Sequence, residues 1–207
     1  MPTPCCCRNQ CYGASHSEDF STAIPSQWTL GQSGGSLSID TGQLKYQWSG
    51  SDQFSLAACI KKSVFSGGAF AVTIESALYG SPVASEYDQG IFLETDAFEV
   101  FDWARRWNRN PPGIDTQDLL FRWPGHTTAT YGSSFADGDV LKMIFTGSTA
   151  NAIDTIDCYF NGTLIHTETP GSPVAIGTGG NVQVGVYLTG SNGLTTYSYF
   201  DYFDITV

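Results

Sequence analysis

Three carboxylates crowd the run Ile91-Phe92-Leu93-Glu94-Thr95-Asp96-Ala97-Phe98-Glu99-Val100-Phe101. In a flat strand side chains alternate, so Glu94 and Asp96 share a face and Glu99 falls on the other. A single-residue bulge between Asp96 and Glu99 would bring all three together. On one face, carboxyl groups in unequal environments can divide acid and nucleophile work between them. A plainer explanation stands beside this one: the chain has 20 Asp and Glu, and the solvent face of a sheet is where carboxylates belong.

Residues 101–125 form a second concentration of chemistry. They hold Arg105, Arg106, Arg109 and Arg122 among the nine basic residues, and Trp103, Trp107 and Trp123 among the five tryptophans. Flat rings and guanidinium forks are enriched where proteins bind. Sugars stacking on exposed rings would suit this segment, as would an acidic neighbouring copy of the chain; rings packed in the core are the equal alternative. His126 and His166 have no identifiable Ser or Cys nucleophile beside them, so a triad is unsupported.

The six cysteines fall in two groups. Cys59 and Cys158 sit in strand-like runs and read as buried free thiols, with a bridge between them as the alternative. Cys5, Cys6, Cys7 and Cys11 precede the fold. Disulfides, within this arm or between chains, are favoured over zinc, because structural zinc sites favour Cys-x-x-Cys pairs and adjacent cysteines do not easily face one ion.

These groups must be positioned by strands. Val140 to Phe145 and Thr155 to Phe160 are rich in β-branched and aromatic residues, and Asn161-Gly162 then predicts a type I′ hairpin turn before Thr163 to His166. Shorter strands are expected at Trp28 to Leu30, Ser36 to Asp40 and Leu44 to Trp48, and longer ones at Phe54 to Lys61 and Ala69 to Ser76. Residues 77–90 read as a loop by their Gly, Pro and Ser content. The last strand, Tyr197 to Val207, is apolar on both faces over part of its length, which places it in the body of a sheet or under a partner. No amphipathic helical pattern exceeds a turn or two. The expectation is one all-β domain at 18–207, a jelly-roll β-sandwich of two antiparallel sheets, behind a cysteine-rich arm at 1–17.

Gly138-Asp139 before one strand, then Cys158-Tyr159-Phe160-Asn161-Gly162-Thr163-Leu164-Ile165, resembles the concanavalin A-like lectin/glucanase superfamily, including its laminin-G-type modules. Asp19-Phe20, Trp28 and Leu37-Ser38-Ile39 resemble the opening strands of that family, and Gly180 to Tyr187 and Phe200 to Ile205 the closing ones. The resemblance implies a concanavalin A-like sandwich and, as a family feature, a structural calcium at Asp19 and Asp201; no other cofactor is required. Glu94, Asp96 and Glu99 also resemble the E-x-D-x-x-E signature of family 16 glycoside hydrolases. That likeness implies a retaining mechanism, with one Glu as nucleophile, one as acid/base about 5 Å away, and the Asp tuning both. The family's preceding Trp-Pro is absent here.

Composition narrows the partners. A net charge of −11 argues against nucleic acid, whose affinity comes from clustered Lys and Arg, and against anionic membrane surfaces. No apolar run approaches the roughly 20 residues that cross a bilayer, and MPTPCCCRNQC lacks the features of a classical secretory signal. The favoured reading is a non-catalytic structural and recognition protein that assembles with copies of itself, its lectin-like body binding a cell-surface glycan. A virion component (phage tail or decoration) or an extracellular filament would fit. The alternatives are a retaining β-glucan hydrolase using Glu94, Asp96 and Glu99, and a monomeric soluble lectin.

Overall fold

The structure is a computed structural model that describes residues 13–21, 23–24, 28–33, 35–48, 53–61, 69–80, 86–110, 114–177, 181–191 and 196–207. Its described secondary structure is all β, as the sequence predicts, in two large antiparallel sheets.

The back sheet contains β1 (His16–Glu18), β3 (Ser36–Asp40), β4 (Gln43–Trp48), β6 (Phe70–Tyr79), β11 (Asp139–Gly147), β13 (Thr155–Phe160), β14 (Thr163–Glu168) and β17 (Thr196–Thr206). Their order is β14-β13-β11-β6-β17-β4-β3, with β1 also on β17. The front sheet contains β2 (Thr29–Ser33), β5 (Gln53–Lys61), β7 (Glu86–Glu94), β8 (Val100–Asn110), β9 (Ile114–Trp123), β10 (Thr127–Gly132) and β16 (Asn181–Ser191), in the order β10-β9-β8-β7-β16-β5-β2. A two-stranded ribbon joins β12 (Ala152–Ile153) to β15 (Val174–Ala175).

Alternation explains the layering. Along β11, Leu141, Met143 and Phe145 are fully buried while Val140, Lys142 and Ile144 are only half-buried. Along β16, Val182, Val184, Val186 and Leu188 face the same core. The β13–β14 turn follows the sequence reading: Asn161 and Gly162 both take positive φ, 49° and 78°, and the Asn161 side chain accepts from the Val140 amide and donates to Asp139 at 2.8 and 2.9 Å. The two-sided β17 lies inside its sheet, paired to both β4 and β6.

Among its described residues, the expected loop at 77–90 is largely strand. Ala77 and Leu78 continue β6 into the core, and Glu86 to Gln89 open β7 by pairing with Asn108 to Arg105 of β8. This end of β7 is polar because its cross-strand partners are polar. Cys158 is a buried free thiol, its ionisation pushed well up by burial. Cys59 differs from expectation, because it is disulfide-bonded. The arm cysteines Cys5, Cys6, Cys7 and Cys11 lie outside the described residues.

Candidate functional site

Two polar groupings stand out, one at the centre of the front sheet's outer face and one at the end of the sandwich. Alternation builds the first. Phe101, Trp103 and Arg105 of β8 point into the sandwich, so Asp102, Ala104 and Arg106 point outward; Asp88 on β7, Arg122 on β9 and Tyr187 on β16 share that face. Arg106 grips Asp88 with two bonds, Nε to Oδ1 at 2.7 Å and Nη2 to Oδ2 at 2.9 Å. Arg122 donates to Asp88 Oδ2 at 2.8 Å, to Asp102 Oδ1 at 2.9 Å and to the Tyr187 hydroxyl at 2.8 Å. That hydroxyl donates in turn to Asp102 Oδ1 at 2.9 Å.

Two carboxylates and two guanidiniums therefore close on one another. Asp88, Asp102 and Tyr187 are 2 %, 0 % and 2 % exposed. Burial pushes the Asp102 carboxyl up to about 6 despite Arg122 and Tyr187, which pull it down. Arg122 loses solvation too, yet Tyr187, Asp102 and Asp88 hold its guanidinium above its ordinary value. With every charge paired, neither aspartate is poised as a nucleophile. Asp88, Asp102 and Tyr187 escape sequence reasoning because β7, β8, β9 and β16 assemble the network from four separate segments; strict alternation through 101–106 was the only signal of it.

The second grouping lies where the β7–β8 and β9–β10 turns face the segment after β14. A cleft of about 820 Å³ is lined there by Glu99, Trp123, His126, Thr127, Glu168 and the 170–175 segment, among others. The β7–β8 turn is closed by the Thr95 amide on Glu99 O at 2.8 Å and the Phe98 amide on Thr95 O at 2.9 Å. Glu99 Oε2 accepts from the Trp123 indole at 2.7 Å and lies 3.8 Å from His126 Nε2. The His126 ring stacks on Trp123, centroids 3.9 Å apart and planes 17° from parallel. Across the cleft, Glu168 lies 3.6 Å from His166 Nε2, and His166 Nδ1 bonds the Tyr131 hydroxyl at 2.7 Å. At the same turn Phe98 is 73 % exposed in a left-handed conformation, φ 64°.

The residues singled out from sequence are dispersed by this geometry. Where a bulge between Asp96 and Glu99 would have joined the three carboxylates, the chain makes a hairpin turn between two core strands. Glu94 ends β7 on the outer face opposite Val100, its carboxyl raised by burial; Asp96 is exposed in the turn; Glu99 faces the end cleft. The three do not share a face.

Trp103 is fully buried and donates to Tyr159 O at 2.9 Å. Arg105 is 1 % exposed, donating to Gln89, Ala136 O and Gly80 O at 2.8 to 3.0 Å and lying over the Trp107 ring. Burial therefore removes Trp103 and Arg105 from any surface a glycan or second subunit touches. Trp107 packs on Tyr87 and Phe135. Trp123, Arg106 and Arg122 reach the two groupings above, and the Arg109 side chain lies outside the described residues.

Asp19 accepts from the Ser21 amide at 2.9 Å and Asp201 from Gln43 at 3.2 Å. Among the described residues no three His, Cys, Asp or Glu side chains converge as a metal site.

No family model matches the chain, and no curated protein sequence does. Solved structures do. An apo Crh5 transglycosylase superimposes with a TM-score of 0.63 at 14 % identity over 94 % of this chain and 84 % of that one. The CBM2 module of the evolved Dit of Lactobacillus casei BL23 phage J-1 gives 0.62 at 10 %, over 93 % and 94 %. A Bacillus licheniformis β-glucanase gives 0.57 at 12 %, over 94 % and 99 %. With its sheet order and these superpositions, the chain has a jelly-roll β-sandwich fold, the fold it shares with these solved structures.

Proposed function

We propose that this protein is a carbohydrate-recognition module without hydrolytic activity, and that its saccharide lies in the end cleft. The observation that carries this reading is the Trp123–His126 stack standing beside Glu99 in an open cleft, with Glu168 on the opposite wall. The exposed His126 ring, lying over the buried Trp123, suits the C–H face of a pyranose, and carboxylates accept from sugar hydroxyls. Phe98 supports it: a large aromatic held exposed in a strained turn costs stability of order 1–3 kcal/mol, and such strain clusters at ligand sites. The neighbours support a saccharide as the class of ligand, since one is named a transglycosylase, one a β-glucanase and one a CBM2 module.

Dispersion supports the non-hydrolytic part of this reading: Glu94, Asp96 and Glu99 do not share a face, and Asp88 and Asp102 are paired with arginines. Self-assembly in a virion or extracellular filament, on a cell-surface glycan, belongs to the same proposal. It is supported by the arm's four cysteines and by the likeness to a phage Dit module. Affinity electrophoresis through soluble β-glucans and chitin oligomers, with a reducing-end assay run alongside, tests the reading. Retardation that is weakened by His126→Ala, without release of reducing ends, is expected. Reducing ends whose release is lost in Glu99→Gln would replace the proposal with catalysis.

A further inference from the structure

The two carboxylates of the end cleft differ in what stands behind them. Glu99 shares its Oε2 between the Trp123 indole and His126. Glu168 has only His166, Nε2 to Oε2 at 3.6 Å, and the side chains of His166 and Glu168 are 10 % and 15 % exposed. The His166 ring packs on Phe121 with centroids 4.5 Å apart, and its buried Nε2 has no hydrogen-bond partner among the described residues. On its other side the Tyr131 hydroxyl lies 2.7 Å from Nδ1, and burial raises the ionisation of that hydroxyl, which keeps its proton. A hydroxyl donating to Nδ1 leaves the ring hydrogen on Nε2, facing Glu168; the opposite tautomer would set a bare lone pair against a carboxylate oxygen. Burial also lowers the ionisation of His166, although Glu168 and Asp157 pull it up. His166 therefore orients Glu168 as a neutral donor and leaves its negative charge whole.

No Lys or Arg side chain among the described residues supplies the missing counter-charge. Lys45 pairs with Asp40, Lys142 with Glu75, Arg106 with Asp88, and Arg122 with Asp88 and Asp102, while Arg105 lies 3.8 Å from Asp139 in the interior. None of them lines the cleft. A carboxylate so nearly buried is poorly hydrated, and an opposite charge is drawn to it more strongly than in bulk water.

We propose that the saccharide of the end cleft is cationic, an oligomer of a 2-amino-2-deoxy sugar whose free ammonium group pairs with Glu168 while a pyranose ring lies on His126. The proposal rests on the saccharide reading above and adds the charge of the ligand. A neutral N-acetylated sugar can touch the same walls but leaves Glu168 without a counter-charge, and an anionic sugar is repelled. The net charge of −11 acts in the same direction by raising the local concentration of cationic ligands.

The test is calorimetric titration of the full chain with a chitin tetramer, with its fully deacetylated glucosamine tetramer and with tetralysine, at a pH where glucosamine is protonated and glutamate ionised. The Trp123 indole resonance, followed in parallel, places each ligand. The glucosamine tetramer should bind at least about tenfold tighter than the chitin tetramer, a difference of about 1.4 kcal/mol, and both should shift Trp123. Glu168→Gln keeps the size of the side chain and removes its charge, so it should reduce that ratio to about twofold or less. Equal or tighter binding of the chitin tetramer would overturn the proposal and leave the saccharide reading in place. A ratio that survives Glu168→Gln would overturn it as well, and so would tetralysine that matches and displaces the glucosamine tetramer, the mark of a surface for basic peptides. If neither sugar moves Trp123, the saccharide reading and this proposal fall together. Should Glu168→Gln not fold, salt decides: raising NaCl to about 0.5 M should narrow the wild-type ratio by screening, and an unchanged ratio would contradict the ammonium pair.

Discussion

Asp102 is the residue whose environment makes the sharpest solution prediction. Its folded carboxyl titrates near 6, against about 3.9 in an unfolded chain. The native state therefore binds this proton more tightly than the unfolded state, and the contribution is full below about pH 4 and lost as pH rises through about 6. The difference is worth roughly 3 kcal/mol. Denaturant titrations should show wild-type stability falling across that window relative to Asp102→Asn, which lacks the titration; parallel curves would contradict the assignment. Arg122 bridges Asp88, Asp102 and Tyr187, so Arg122→Ala takes the cation from buried Asp102 while Asp88 keeps Arg106, and it should cost about 3 kcal/mol at pH 7. Phe98→Gly removes a left-handed, exposed aromatic. It should leave stability unchanged or raise it by about 1 kcal/mol while weakening saccharide binding, a combination that a purely structural Phe98 would not give.

At the scale of strands and turns, closeness of backbones matters more than backbone handedness. A Cβ at Gly185 would lie 2.1 Å from Leu56 O, while Gly162, at positive φ, has open space around it. Gly162→Ala should therefore cost about 1 kcal/mol, and Gly185→Ala more than about 2 kcal/mol through displacement of β5, as thermal melts of the two variants would show. The same scale explains what the sequence disclosed. The β11, β13 and β14 strands and the Asn161-Gly162 turn were legible because their signals are local: β-branched runs and a dipeptide that accepts positive φ. The start of β7 was not, because Asp88 and Gln89 are buried through arginines brought in by β8 and β9. The apparent Trp/Arg binding stretch was two alternating strands, with Trp103 and Arg105 on the inward side and Arg106 and Arg122 on the outward side. Period-two counting separates those faces, but only once the strand boundaries are known. The stacking of His126 on Trp123 is likewise a property of the folded β9–β10 turn, and nothing in the residue types announces it.

At the scale of the whole molecule, the described residues form a sandwich with an outer front face whose charges are paired, an outer back face, and an end cleft. A net charge of −11 on each chain opposes association of copies, so assembly needs a specific staple. Native mass spectrometry should show species heavier than one chain that fall to the monomer with reductant; a reductant-insensitive monomer would sink the assembly part of the proposal and leave a soluble lectin-like module.

Saccharide recognition at the end cleft is best tested by following the indole N–H resonances during titration with a β-glucan oligosaccharide. Trp123, whose indole bonds Glu99 in the cleft, should shift progressively with ligand, while Trp103, sealed in the core against Tyr159 O, should not. A ligand that leaves Trp123 unmoved and instead perturbs Phe92 and Tyr187 would put the binding surface on the front sheet and contradict the account.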